Sequence, residues 1–107
     1  MQIKVQTLSG RSVIKLHGQF VFSATRDFRQ AGNACLDDPQ VHEVEFNMGG
    51  VEYLDSFALG SLLLLKERAD ATGKRVVISN CRGTVQKVLV LANFGQIFNI
   101  APALDAA

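Results

Sequence analysis

Residues 51–73 read VEYLDSFALGSLLLLKERADATG. Small or apolar side chains recur in it at spacings of four, three and four residues: Ala58, Leu62, Leu65 and Ala69. This spacing is typical of the buried face of an α-helix, and it predicts a helix over residues 56–72, ended by Gly73. The opposite face, predicted to point outward, is unusually apolar in its first two turns and carries Phe57, Gly60, Ser61, Leu64 and Arg68.

Upstream of this helix, the pattern predicts a β-hairpin, a helix and a strand. Residues 3–8 and 12–17 alternate between apolar and polar side chains around a turn at Ser9 and Gly10. A helix is predicted to start at an N-cap, Ser23, and to end before Pro39. Its inward residues share helical spacing: Ala24, Phe28, Ala31 and Cys35. The next strand is predicted to contain Val41, Val44 and Phe46 and to be closed by Gly49 and Gly50.

Downstream, the pattern predicts a buried strand at residues 76–78 and a helix over residues 84–93 capped by Thr84. The inward residues of that helix are Val85, Val88, Leu89 and Ala92. A last strand contains Ile97, Phe98 and Ile100, and Pro102 opens a terminal helical turn. The order β-β-α-β-α-β-α-β predicts a single α/β domain over residues 1–107. Its mainly parallel sheet of about four to five strands has right-handed crossovers and helices packed on it.

Composition narrows the class of protein. The chain has 107 residues, 48% of them hydrophobic and 20% charged, with a formal net charge of +1. This balance is not that of a protein that binds nucleic acid or a membrane surface. No stretch is long enough for membrane insertion, and the first residues lack a signal peptide. Cys35 and Cys81 are interpreted as buried or half-buried thiols of a reducing cytoplasm.

The sequence lacks the patterns that carry common enzyme chemistry. Gly49, Gly50 and Gly60 form no phosphate-binding loop, and Asp55-Ser56 does not belong to a GxSxG elbow. His17 and His42 have no identifiable acid partner, and the cysteines form no metal-binding pair. We therefore predict no catalytic residues, no cofactor and no metal.

Ser56, at the predicted helix start, has two compatible interpretations. Spacing alone favours an N-cap, whose loss costs about 1 kcal/mol. The alternative is a phosphoacceptor, since a helix start favours anions. Asp55 is open to two interpretations as well: it is the cap itself, or it is a functional side chain that orients Ser56 or contacts a kinase. For Phe57 and Leu64, cover by a loop or a second copy is weighed equally with an exposed docking patch.

Beyond these patterns, the segment LDSFALGSLL at residues 54–63 resembles the signature of STAS domains, which occur in anti-sigma-factor antagonists and in the tails of sulfate transporters. Gly73 and the strand at residues 76–78 stand where that signature expects a glycine and a strand. Two further segments resemble the family, GQF at residues 18–20 and LANFGQIF at residues 91–98, so that the likeness extends over essentially the whole chain.

The resemblance implies a phosphorylation switch. Ser56 takes the position of the phosphoacceptor, Asp55 that of its companion, and the partners are an anti-sigma factor or serine protein kinase and a phosphatase. The implied protein is a cytoplasmic bacterial regulator of transcription, a monomer or weak homodimer, that sequesters the anti-sigma factor while Ser56 is unphosphorylated. Phe57 and Ala58 depart from the serine and glycine of many members. The predicted partner surface consists of Asp55, Ser56, Phe57, Gly60, Ser61 and Leu64.

Two other functions are also compatible with the sequence. One is a STAS scaffold or transport-complex subunit without a phosphorylation switch. The other is a small-molecule or nucleotide binder, although the chain has no phosphate loop.

Overall fold

Residues 1–102, the part of the chain that the computed structural model describes, form five strands and three helices. They follow the predicted order: β1 (Gln2–Leu8), β2 (Arg11–Phe20), α1 (Phe22–Asp37), β3 (Glu43–Leu54), α2 (Ser56–Ala71), β4 (Arg75–Cys81), α3 (Gly83–Leu91) and β5 (Asn99–Pro102), with a 3₁₀ turn (Phe94–Gln96) before β5. The predicted α/β class is thus confirmed. Pro102, predicted to open a terminal helical turn, is instead the last residue of β5, and the residues after it lie outside the described part of the chain.

The strands form one sheet in the order β1-β2-β3-β4-β5. β1 and β2 are the predicted antiparallel hairpin, with Leu8 opposite Arg11 and positive φ angles at Ser9 and Gly10 in the turn. The pairs β2–β3, β3–β4 and β4–β5 are parallel, which confirms the mainly parallel sheet. Each of α1, α2 and α3 therefore begins just beyond the carboxyl end of a parallel strand, at the same edge of the sheet.

Helix α2 confirms the spacing argument. All four predicted inward residues are buried at 0–2% exposure: Ala58, Leu62, Leu65 and Ala69. The helix ends at Ala71, and the backbone then turns through Gly73, whose φ of +72° glycine adopts without the steric cost of a side chain. Side chains buried from the strands complete the core, among them Ile14, Phe46 and Ile78.

The predicted end of the third strand is wrong. β3 begins at Glu43, after Val41, and continues through Gly49 and Gly50 to Leu54. At Gly50 a Cβ atom would lie 2.9 Å from the carbonyl oxygen of Leu16 and 2.7 Å from the His17 ring. The glycine therefore permits close approach to β2, where the pairing register shifts between Lys15 and His17.

The last elements also differ from the prediction. Thr84 lies inside α3 rather than at its cap, and the helix ends at Leu91, before the left-handed Asn93. Val85 and Leu89 are buried as predicted. The predicted strand residues Ile97 and Phe98 belong to the preceding turn, because both of their backbone N–H groups donate to the carbonyl of Phe94, at 3.0 and 2.8 Å.

Both cysteines are free and buried, as predicted. Burial raises the pKa of the Cys81 thiol from 9.0 to about 11. Between these pH values the thiol ionises in the unfolded chain but stays protonated in the folded one, so that rising pH favours unfolding.

We expect this difference to lower the free energy of unfolding by up to about 2–3 kcal/mol between pH 9 and pH 11. Urea unfolding of the wild type and Cys81→Ala over this range measures it, since lysine and tyrosine titration is common to both proteins. The cavity in Cys81→Ala lowers stability at every pH, whereas the additional pH slope belongs only to the wild type. Equal slopes would contradict the prediction.

Candidate functional site

The candidate site lies where β2 and β3 end side by side. Phe20, the last residue of β2, is paired with Leu54, the last residue of β3, and the N–H of Asp55 donates to the carbonyl of Phe20 at 3.2 Å. α1 starts at Phe22 and α2 at Ser56. The parallel pairing thus brings the starts of two helices together.

Asp55 caps both helices. Its Oδ1 accepts from the backbone N–H of Ala58 at 3.0 Å, inside α2, and its Oδ2 accepts from the N–H of Phe22 at 3.1 Å, at the start of α1. The carboxylate therefore satisfies a free N–H group of each helix and lies at the positive end of each helix dipole.

Two predicted caps are wrong as a result. Ser23 lies inside α1, whose N-cap residue Val21 makes no side-chain capping bond, and Asp55 provides the acceptor instead. Ser56 is the first residue of α2 rather than its cap, and it is exposed to solvent. Of the two interpretations of Asp55, capping is the one the geometry supports, and the Ser56 hydroxyl is not needed to start the helix.

An open groove of about 470 Å³ runs between the first turns of the two helices. Five of the six residues predicted for the partner surface line it: Ser56, Phe57, Gly60, Ser61 and Leu64. The sixth, Asp55, joins the starts of the two helices through the two N–H groups that it caps. Ser61 was predicted on the outward face but is only 5% exposed, because α1 packs against this part of α2.

Sequence reasoning missed the other wall of the groove, which α1 supplies through Phe22, Thr25 and Arg29. Thr25 is buried and its Oγ1 donates to the carbonyl of Phe22 at 2.8 Å. Among residues 1–102, Arg29 is the one charged side chain that lines the groove. The signal that could have found this wall is the adjacency of β2 and β3, since parallel neighbours bring the helices that follow them together.

Apolar side chains dominate the rim of the groove. Phe57 is 56% exposed, Leu64 53% and Phe22 65%. The rings of Phe22 and Phe57 meet edge to face with centroids 4.8 Å apart, a favourable aromatic geometry. Within residues 1–102 no loop covers Phe57 or Leu64. Of the two interpretations, cover by a loop and an exposed patch, the chain by itself shows the exposed patch.

The far end of the helix pair is fixed by polar contacts. Arg68, predicted to point outward, donates to the side-chain oxygen of Asn33 at 2.7 Å and pairs with the carboxylate of Asp37. These bonds join α2 to α1 more than two turns from Asp55. The groove walls are therefore held at both ends.

Other candidate chemistry lies apart from the groove. His17 is on β2 and His42 precedes β3, and neither lines the groove. Among residues 1–102, no three His, Cys, Asp or Glu side chains are grouped so as to hold a metal ion. No helix in the same part of the chain is both long and apolar enough to cross a membrane.

Comparison with known proteins gives a family match over nearly the whole chain. The family model of the STAS domain matches residues 2–107. A STAS-domain containing protein of Pseudomonas aeruginosa (strain UCBPP-PA14) is 38% identical over 88 residues, which cover 82% of this chain and 85% of that protein.

Solved structures with the same fold come from two functional settings. An anti-sigma factor antagonist from Mycobacterium paratuberculosis has a TM-score of 0.81 at 25% identity, covering 97% of this chain and 87% of the other. The Bacillus cell fate determinant SpoIIAA, in its phosphorylated form, has a TM-score of 0.74 at 20% identity, covering 98% and 96%. A sulfate transporter family protein from Wolinella succinogenes has a TM-score of 0.77 at 14% identity, covering 90% and 80%.

Proposed function

This chain belongs to the STAS domain family, and we propose that it is an anti-sigma-factor antagonist whose binding surface is switched by phosphorylation of Ser56. The observation that carries the proposal is the position of Ser56. Its hydroxyl is exposed at the first residue of α2, at the edge of an apolar groove, and capping of the helix is left to Asp55. A kinase can therefore modify Ser56 without removing a bond that starts the helix.

A phosphate on Ser56 changes the surface more than the fold. It brings about −1.5 to −2 charges to a helix start, where anions are tolerated. The same charge stands beside Phe57, and a partner that covers Phe57 and Leu64 would have to desolvate it. Unmodified Ser56 permits that contact, whereas phosphoserine opposes it.

The structural relatives support this type of switch. SpoIIAA is known in both an unphosphorylated and a phosphorylated form, and the Mycobacterium relative is an anti-sigma factor antagonist. By analogy, the partner of this chain is an anti-sigma factor with serine kinase activity, and a phosphatase reverses the modification. The protein then acts in the bacterial cytoplasm as a regulator of transcription and as a binding module rather than an enzyme.

Affinity capture with Ser56 variants tests the proposal. We expect Ser56→Ala to retain the anti-sigma factor and Ser56→Asp to weaken binding at least about tenfold, because a polar group buried without a partner costs about 1–3 kcal/mol and 1.4 kcal/mol is tenfold. Ser56→Asn is the matched control, since it has the shape of aspartate without the charge. Equal binding by Ser56→Asp and Ser56→Asn would contradict a charge-based switch.

A second candidate is a scaffold in a transport complex, which the fold shared with the sulfate transporter family protein favours. It needs no phosphate on Ser56. Mass spectrometry of the protein purified from its own cells separates the two functions: phosphoserine at residue 56 supports the switch, whereas a stable stoichiometric partner without phosphoserine supports the scaffold.

A further inference from the structure

A second concave surface lies on the open face of the sheet, away from the groove. On β2, Ile14 and Leu16 are buried in the core, so that Lys15 and His17 point to the other face, where both are exposed. Lys4 of β1 stands directly opposite Lys15 in the antiparallel ladder and shares this face. Together with residues from β3 and β4, they line an open cleft of about 460 Å³.

Among residues 1–102, the lining of this cleft has one sign of charge. The charged side chains that line it in this part of the chain are Lys4, Lys15 and Arg82, and none is acidic. Its further polar side chains include His17, Asn47 and Asn80, which offer additional hydrogen-bonding groups. Within residues 1–102, the two lysines form no ion pair, and the inference rests on these two.

The other end of the same strands is built differently. There Arg11 pairs with Glu43 at 2.9 Å and with Glu45, and Glu45 also accepts a bond from Ser79 at 2.6 Å. Acids and bases thus neutralise one another at one end of the sheet, whereas Lys4 and Lys15 at the cleft end have no acidic partner among the described residues. Like charges directly opposite each other in a ladder are unfavourable, so an anion between Lys4 and Lys15 would relieve a repulsion present in the fold.

One glycine, Gly49, keeps the cleft open. A Cβ atom on Gly49 would lie 3.1 Å from Oδ1 of Asn47 and 3.7 Å from the Arg82 guanidinium, and the missing side chain leaves that space free. The volume is within the range of small-molecule sites.

We propose that this cleft binds a small soluble anion through a pyrophosphate group. Two lysines on adjacent strands match an anion with charge on two linked phosphates better than a single monovalent ion, and the neighbouring amide side chains can donate to its remaining oxygens. The inference is independent of the Ser56 switch, since none of its residues lines the helix groove.

Titration with inorganic pyrophosphate, followed by amide NMR and calorimetry, tests the proposal. We expect shifts at residues 15–17 and 47–50, and an affinity at least about tenfold weaker in the double variant Lys4→Gln/Lys15→Gln, because each lysine makes a charge-assisted contact. Lys87→Gln, an exposed lysine on α3, is the matched control. A parallel titration with ADP distinguishes the source: tighter binding than pyrophosphate supports a nucleotide, and equal binding supports recognition of the diphosphate alone.

Three results would overturn the site. The first is the absence of amide shifts in the wild type at millimolar pyrophosphate. The second is a loss of affinity in Lys87→Gln as large as that in Lys4→Gln/Lys15→Gln. The third is binding of sulfate as tight as that of pyrophosphate. The wild-type NMR map keeps the test decisive if the double variant fails to fold.

Discussion

Replacing Asp55 with alanine is expected to lower the free energy of unfolding by about 2–3 kcal/mol. One carboxylate accepts the N–H of Ala58 at 3.0 Å and that of Phe22 at 3.1 Å, and the loss of a single N-cap costs about 0.5–2 kcal/mol. Two helices lose their cap in this one substitution. For a domain of this size, about 1 kcal/mol corresponds to a shift of about 4–8 °C in the melting temperature.

Two further variants make the measurement specific. Asp55→Asn keeps one acceptor oxygen, so that it can cap one helix but not both, and it should lose about half as much stability. Asp70→Ala removes an aspartate near the other end of α2 that only pairs with Lys66 on the surface, a contact worth about 0.3–0.5 kcal/mol. Chemical unfolding of the three variants gives the comparison. If Asp55→Ala were no less stable than Asp70→Ala, the double cap would not hold the helices.

This double cap marks what sequence patterns predict well and what they do not. The four inward residues of α2 were identified because apolar spacing follows directly from helix geometry, and burial bears out every one of them. A cap depends instead on which oxygen reaches a backbone N–H in space. Ser23 stands beside the start of α1 in the sequence, yet the acceptor comes from Asp55, 33 residues beyond Phe22.

The candidate site, too, was predicted only in part. Its α2 wall was predicted from one continuous segment, including Phe57 and Leu64. The α1 wall was missed, since Phe22 and Arg29 join the groove only through the parallel pairing of β2 with β3. Ser61 was placed wrongly for a related reason: whether a residue at the edge of a helical stripe is buried depends on the neighbouring helix.

Replacing Phe57 with alanine should weaken binding of the proposed anti-sigma factor at least about 30-fold, or about 2 kcal/mol. Phe57 stands next to Ser56 and is 56% exposed, so its free face is available to a partner while the rest contacts Phe22. Aromatic side chains at the centre of an interface are typical hot spots. Folding should change little, because the ring is not part of the buried core.

The control for this prediction is Val90→Ala, which removes an exposed apolar side chain from α3, outside the groove. Calorimetric titration of the partner into each variant measures affinity, and thermal unfolding confirms that the variants stay folded. Phe22→Ala and the double variant Phe22→Ala/Phe57→Ala complete a double-mutant cycle. In the free energy of unfolding, the edge-to-face pair should appear as a coupling of about 0.5–1.5 kcal/mol. If Val90→Ala weakened binding and Phe57→Ala did not, the partner would dock on α3 and the groove would not be its site.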